Sequence, residues 1–216
     1  MEKIDYKKLY KNLYAPGTTP SLIDVPAMKF LMVEGKGNPN IPGGEYQQAV
    51  ELLYALSYTI KMDYKFSDQP GVSDYVVPPL EGLWWLNDQN DFDFTKKDQY
   101  CWISMIRQPD FIGEDMFQAA LLKVAHKKPS LDVDKARLEL FREGLCVQCM
   151  HIGPYDEEPE TVKKIDTYVL ESGKKNAIGT LSSEGKPLHH HEIYLSNPLK
   201  CKPSARKTIL RHPVMN

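Results

Sequence analysis

The chain has 216 residues, 42% hydrophobic and 26% charged, with 27 Lys plus Arg against 29 Asp plus Glu for a formal charge of −2. That length is ample for a buried core, and the composition excludes wholesale disorder. The missing basic excess argues against a duplex-binding surface, since phosphate neutralisation supplies most of such affinity. No apolar run nears the roughly 18 to 20 residues that span a bilayer, so no membrane partner is expected. Met1 to Lys11 is polar and mixed in charge, unlike a signal or transit peptide. Four cysteines make no disulfide framework, and a reducing cytoplasm is the expected location.

An arm from Met1 to Thr19 comes first, closed by Pro16 and Gly17. Leu22 to Val33 is rich in β-formers and ends at Glu34-Gly35-Lys36-Gly37. Tyr46, Ala49, Val50, Leu53, Leu56, Ser57 and Ile60 then recur at helical spacing, which predicts an amphipathic helix over Glu45 to Ile60. Asp74 to Val77 reads as a short strand, Leu83 to Leu86 as a short apolar run, Asn87 to Asp98 as a polar turn, and Tyr100 to Arg107 as a strand. A helix is expected from Gly113 to about His126, and a second helical piece from Val133 to Arg142, with Gly144 as its left-handed cap. Leu145 to Ile152 is a strand closing at Gly153-Pro154. Pro159 opens a helix carrying Val162, Ile165 and Val169, and Gly173 follows it. His189 to Leu195 is the last clear strand, and a basic tail runs to Asn216.

The order strand, glycine turn, helix, strands with a Glu occurs from Leu22 to Leu86 and again from Leu145 to Leu195. In this reading Gly35 matches Gly153, the two helices match, and Glu81 matches Glu192. The expected fold is α+β. Two halves, about 20–108 and 145–216, form one pseudo-twofold antiparallel sheet joined by helices at about 113–142, a single domain over 20–216 with a cleft where the halves meet.

Within His189 to Leu195, alternation puts His190, Glu192 and Tyr194 on one face and His191, Ile193 and Leu195 on the other. Glu192 in an apolar cleft suits general acid–base work or a cationic ligand, whereas on a solvated strand face it is unremarkable. Glu81-Gly82-Leu83-Trp84-Trp85 sets a carboxylate beside two indoles that point to opposite faces, so at most one of them reaches a cleft. Tyr155, at the turn after Gly153-Pro154, either reaches over the cleft as a proton donor or packs on Pro154. Cys146 and Cys149 have CxxC spacing but face opposite ways along a strand, so no metal site is expected. His190-His191-Glu192 lacks the Pro-Cys-x-x-Cys partner of a zinc deaminase. No nucleotide or cofactor loop is present, and no cofactor is expected.

Glu81-Gly82-Leu83-Trp84-Trp85, Gly153-Pro154-Tyr155-Asp156-Glu157-Glu158-Pro159, His191-Glu192-Ile193-Tyr194-Leu195-Ser196-Asn197-Pro198 and the ending Lys207 to Val214 together resemble the GyrI-like family, from about Ser21 to the C-terminus. The resemblance implies duplicated strand–helix–strand–strand (SHS2) modules, helices on one face and a ligand cleft between the halves. It also implies a Glu at the Glu192 position that meets lipophilic cations in sensor relatives. The Glu-Gly-Leu-Trp-Trp segment is similar to that of stand-alone cyclopropanoid hydrolases, which detoxify DNA-alkylating products of the yatakemycin and CC-1065 type. By this resemblance Glu192 is the base, Glu81 the second choice, and Tyr155 the proton donor. Trp84 or Trp85 stacks on a planar aromatic or lipophilic ligand, and Tyr194 or His190 supports Glu192. The alternative is a non-catalytic binding or regulator-type effector-binding module. The arm is too short for a helix-turn-helix, so direct DNA contact is disfavoured. With no heptads, a monomer is expected.

Overall fold

In a computed structural model, the described residues are 3–67, 74–86, 95–182 and 184–216. Two short helices, α1 (Tyr6–Leu9) and α2 (Lys11–Tyr14), lead into β1 (Ser21–Val25), β2 (Met28–Lys36), α3 (Glu45–Lys65), β3 (Leu80–Leu86) and β4 (Tyr100–Arg107). There follow α4 (Glu114–Lys127), β5 (Ala136–Phe141), β6 (Gly144–Ile152), α5 (Glu158–Glu171), β7 (Lys175–Asn176), β8 (His190–Tyr194) and β9 (Lys207–Met215). The sheet runs β1-β6-β9-β8-β3-β4-β2-β5, with β7 pairing only β9, and every pairing in it is antiparallel. The expected duplication is visible in that order: β2, β4 and β3 of one half mirror β6, β9 and β8 of the other, and β3 meets β8 at the centre.

Each long helix buries a stripe on the same side of the sheet. Ala49, Leu52, Leu53, Leu56 and Ile60 of α3 and Phe117, Ala120 and Val124 of α4 join Leu31, Val33, Trp102 and Ile106 in one core. Ile165 and Val169 of α5 close a smaller one over Val147, Cys149 and Leu210. On the opposite side Tyr6, Leu13 and Tyr14 pack with Phe30, Met105, Cys146 and Ile193. Residues 3–19 are therefore a covering layer and no loose arm. Four-residue helices have no stability of their own, so packing holds them.

Four expectations are corrected. Residues 133–142 are a short 3-10 turn and the edge strand β5, which pairs with β2. Ala, Arg, Leu and Glu favour helix, but the alternation Arg137-Leu138-Glu139-Leu140-Phe141 fits a strand, and pairing with β2 overrides propensity. Gly144 has φ +78° where the chain turns into β6, so it caps no helix. The basic tail contains β9, a central strand whose Thr208 to Val214 are all buried. Asp74 to Val77 forms only an isolated parallel bridge from Tyr75 to Ile4. The polar turn expected over Asn87 to Asp98 lies partly outside the described residues.

A buried ionic cluster pins the covering layer. His191 meets Glu81 through Nε2 and Glu143 through Nδ1, each at 3.0 Å, and Arg211 donates to Glu143 at 3.2 Å. Arg211 also donates to the Leu13 carbonyl at 3.0 Å, Tyr14 donates to Glu81 at 3.1 Å, and Gln148 donates to the Asn12 carbonyl at 2.7 Å. Burial opposes charge on both His191 and Glu143. Even so, Glu143 and Glu81 raise His191 to about 9, and His191 with Arg211 hold Glu143 at about 2. The Glu143 contribution to stability is present above its ordinary 4.5 and is lost as pH falls towards 2. The His191 contribution is present below its ordinary 6.5 and is lost as pH rises through 9. The melting temperature is therefore expected to plateau between about pH 4.5 and 6.5 and fall on both sides. A profile that rises through pH 9 would contradict this.

Candidate active site

Because cross-strand partners share a face, the β3–β8 register decides what the cleft contains. Gly82 lies opposite Glu192, Trp84 opposite His190 and Leu80 opposite Tyr194, all facing the helices. Glu81 lies opposite Ile193 and faces the other way. The expected match of Glu81 to Glu192 is thus one residue out of register, and that slip moves Glu81 to the far side. There it is 1% exposed and held by Tyr14 and His191.

On the helix side, a cleft of about 1070 Å³ opens between α3 and the start of α5. Tyr46, Val50, Tyr54 and Tyr58 form one wall. Tyr155, Glu158 and Arg206 form the other, and Trp84, Glu192 and Tyr194 the floor. Glu192 is 7% exposed. Its Oε2 accepts from the Tyr194 hydroxyl at 2.6 Å, and its Oε1 lies 3.1 Å from His190 Nε2. His190 Nδ1 in turn lies 2.7 Å from His212 Nε2 on β9. Strand alternation had placed His190, Glu192 and Tyr194 together, and the structure brings them into one hydrogen-bonded row.

Tyr155 stands edge-on to Tyr194 at 6.0 Å, with the Arg206 guanidinium 5.1 Å over its ring. Burial raises its phenol pKa and Arg206 opposes the rise. Trp84 reaches the cleft but is 4% exposed, packed against Tyr46 and Tyr100. Trp85 points to the opposite face, as alternation requires, and stacks on His189 at 4.1 Å in a smaller pocket of about 290 Å³. Cys146 and Cys149 lie in cores on opposite faces of β6.

Sequence reasoning passed over Glu158. This first residue of α5 is 2% exposed and sits beside Glu192. A carboxylate at a helix N-terminus is normally ionised and stabilised there. Here burial first, then the charge of Glu192, push the Glu158 carboxyl well above the usual carboxylate range. Two acids in one buried site disfavour each other's charge. The only clue in the chain was a Glu directly before the Pro of a first helical turn, a position usually exposed. Tyr46 was legible as a helix-face residue but not as a cleft wall.

A family model for the GyrI-like small molecule binding domain matches residues 18–209. The crystal structure of an uncharacterized conserved protein from Listeria innocua is 46% identical, with a TM-score of 0.88 over 99% of this chain and 100% of that one. Two crystal structures of hydrolases from Listeria innocua are 44% and 45% identical, with TM-scores of 0.83 and 0.85 and the same coverage. The EcmrR C-terminal domain, at 12% identity and a TM-score of 0.53 over 92% of this chain and 98% of that one, is alike in fold alone. A comparison with curated proteins found no match.

Proposed function

Because the chain belongs to the GyrI-like small molecule binding domain family, we propose that its cleft takes a flat, largely apolar small molecule and adds water across a strained ring in it. The observation that carries this is the pair of buried carboxyls, Glu192 and Glu158, that line a tyrosine-walled cleft, with burial and the charge of Glu192 raising the Glu158 carboxyl. An ionised carboxylate offers about four acceptor sites. Tyr194 donates to one oxygen and His190 lies within reach of the other, and Glu192 lines the cleft, where a water can meet it. The hydrolases from Listeria innocua, similar over nearly the whole chain, favour catalysis over binding alone.

A cyclopropane fused to a cyclohexadienone is the substrate class that fits. Glu192 takes a proton from water as the water oxygen bonds to the cyclopropane methylene. The methylene-to-ring carbon bond breaks, its electron pair makes the ring aromatic, and the charge arrives on the former carbonyl oxygen. Tyr155 donates to that oxygen, which leaves as a phenol. Solvent at the cleft mouth restores the Tyr155 proton and takes the one from Glu192 once product departs. The tyrosine walls supply stacking surface for the fused rings. The biological role that follows is removal of DNA-alkylating genotoxins.

A second reading, a site that only holds lipophilic cations, is favoured by the Glu192 carboxyl set among tyrosine rings. Loss of the dienone absorbance with substoichiometric protein separates the two. Many equivalents consumed per protein molecule are expected. Bound but intact compound would overturn catalysis and leave the binding module.

A further inference from the structure

Trp84 belongs to the Glu-Gly-Leu-Trp-Trp segment, yet its ring is spent on Tyr46 and Tyr100, and little of it is open to a ligand. Its polar atom has a definite task. The indole Nε1–H donates to the Tyr194 oxygen at 3.0 Å, and Tyr194 donates onward to Glu192 at 2.6 Å. Gly82 makes this possible, because a Cβ there would stand 2.6 Å from the indole nitrogen and 3.3 Å from the Tyr194 oxygen.

We propose that Trp84 is a positioning residue whose N–H fixes the direction of the Tyr194 hydroxyl and thereby keeps the Tyr194 proton aimed at Glu192. The groups that face Glu192 and Glu158 are His190 and Tyr194 from β8, Tyr46 from α3, Tyr155 and Asp156 from the turn before α5, and Thr208 of β9, with His212 of β9 behind His190. The imidazoles and phenols can each turn and either donate or accept; an indole N–H only donates. With the indole donating, the Tyr194 proton points away from Trp84 and into Glu192. Glu192 then keeps a short hydroxyl donor on Oε2. Without the indole, Tyr194 can turn its hydroxyl towards Tyr46, and Glu192 loses that donor.

The base role of Glu192 rests on the hydrolase reading, so the decisive test does not use turnover. Protein labelled with 13C at the Glu side-chain carboxyls is titrated by NMR, with the signals assigned through Glu192→Gln and Glu158→Gln. In Trp84→Phe the Glu192 signal is expected to shift from its wild-type position as the Tyr194 donor is lost, and Tyr194→Phe should shift it in the same way. Gly82→Ala, which keeps the indole but displaces it, should reproduce Trp84→Phe and serves if that variant does not fold. Unchanged signals in Trp84→Phe and Gly82→Ala would overturn the proposal.

On the cyclopropanoid substrate, Trp84→Phe is expected to lower kcat about tenfold with KM within about twofold, and to add nothing in a Tyr194→Phe background. A raised KM with unchanged kcat would make Trp84 a stacking platform and overturn the positioning role. Additive effects would overturn action through Tyr194. A wild type without turnover fails the hydrolase reading alone, and the carboxyl signals then decide this one.

Discussion

Glu192→Gln is expected to lower turnover of a cyclopropane-bearing dienone by about 100- to 10,000-fold, the range for losing a positioned general base. The amide keeps the shape of the carboxylate and can still meet Tyr194 and His190, so the melting temperature should hold while chemistry fails. Glu158→Gln makes an informative contrast. Burial and the charge of Glu192 push the Glu158 carboxyl well above the usual range, towards the neutral form that Gln imitates, so this change should cost far less than the one at Glu192. Removing that charge in Glu192→Gln should also bring the Glu158 carboxyl down. Retained turnover in Glu192→Gln, or equal losses in the two variants, would contradict the assignment.

The largest stability effect is expected on the other side of the sheet. Arg211→Met removes the donor shared by Glu143, Gln148 and the Leu13 carbonyl, and leaves Glu143 buried with His191 as its remaining cationic partner. Breaking a buried ion pair from one side costs about 3 to 5 kcal/mol. For a chain of this size that lowers the melting temperature by roughly 6 to 20 °C. The covering layer should loosen first, since Leu13 loses its tether to β9, and hydrogen exchange at Leu13 and Tyr14 would report it. A melting temperature within a degree or two of the wild type would show that the cluster is not what pins residues 3–19.

The two faces of β3 and β8 explain both what the sequence made legible and what it hid. Alternation along His190 to Tyr194 was readable because a strand has a period of two, and the row His190, Glu192, Tyr194 follows from that period alone. The opposite pointing of Trp84 and Trp85 follows in the same way. The placement of Glu81 does not, because it depends on how β3 pairs with β8. A chain read in one dimension carries no cross-strand register, and a shift of one residue sends every side chain to the other face. Glu158 was hidden for a related reason: its burial comes from β8 and β9 closing over the start of α5, which no local pattern announces. Strand β9 was masked by its charge, since Lys207 and Arg211 read as a solvated tail until Arg211 finds Glu143 on β6's side of the sheet. The helices α3, α4 and α5 were legible because their stripes recur every three to four residues, and β5 was misread because its residues favour helix until β2 pairs with them.

The proposed hydrolysis requires that water is the nucleophile and Glu192 its base. The direct measurement is mass spectrometry of a cyclopropanoid alkylator incubated with substoichiometric protein in 18O-labelled water. The prediction is a product heavier by one labelled water, with the label on the former cyclopropane methylene, accumulating over many turnovers with wild-type protein and lost in Glu192→Gln. Unaltered alkylator that co-elutes with the protein, or a product without the label, would contradict it.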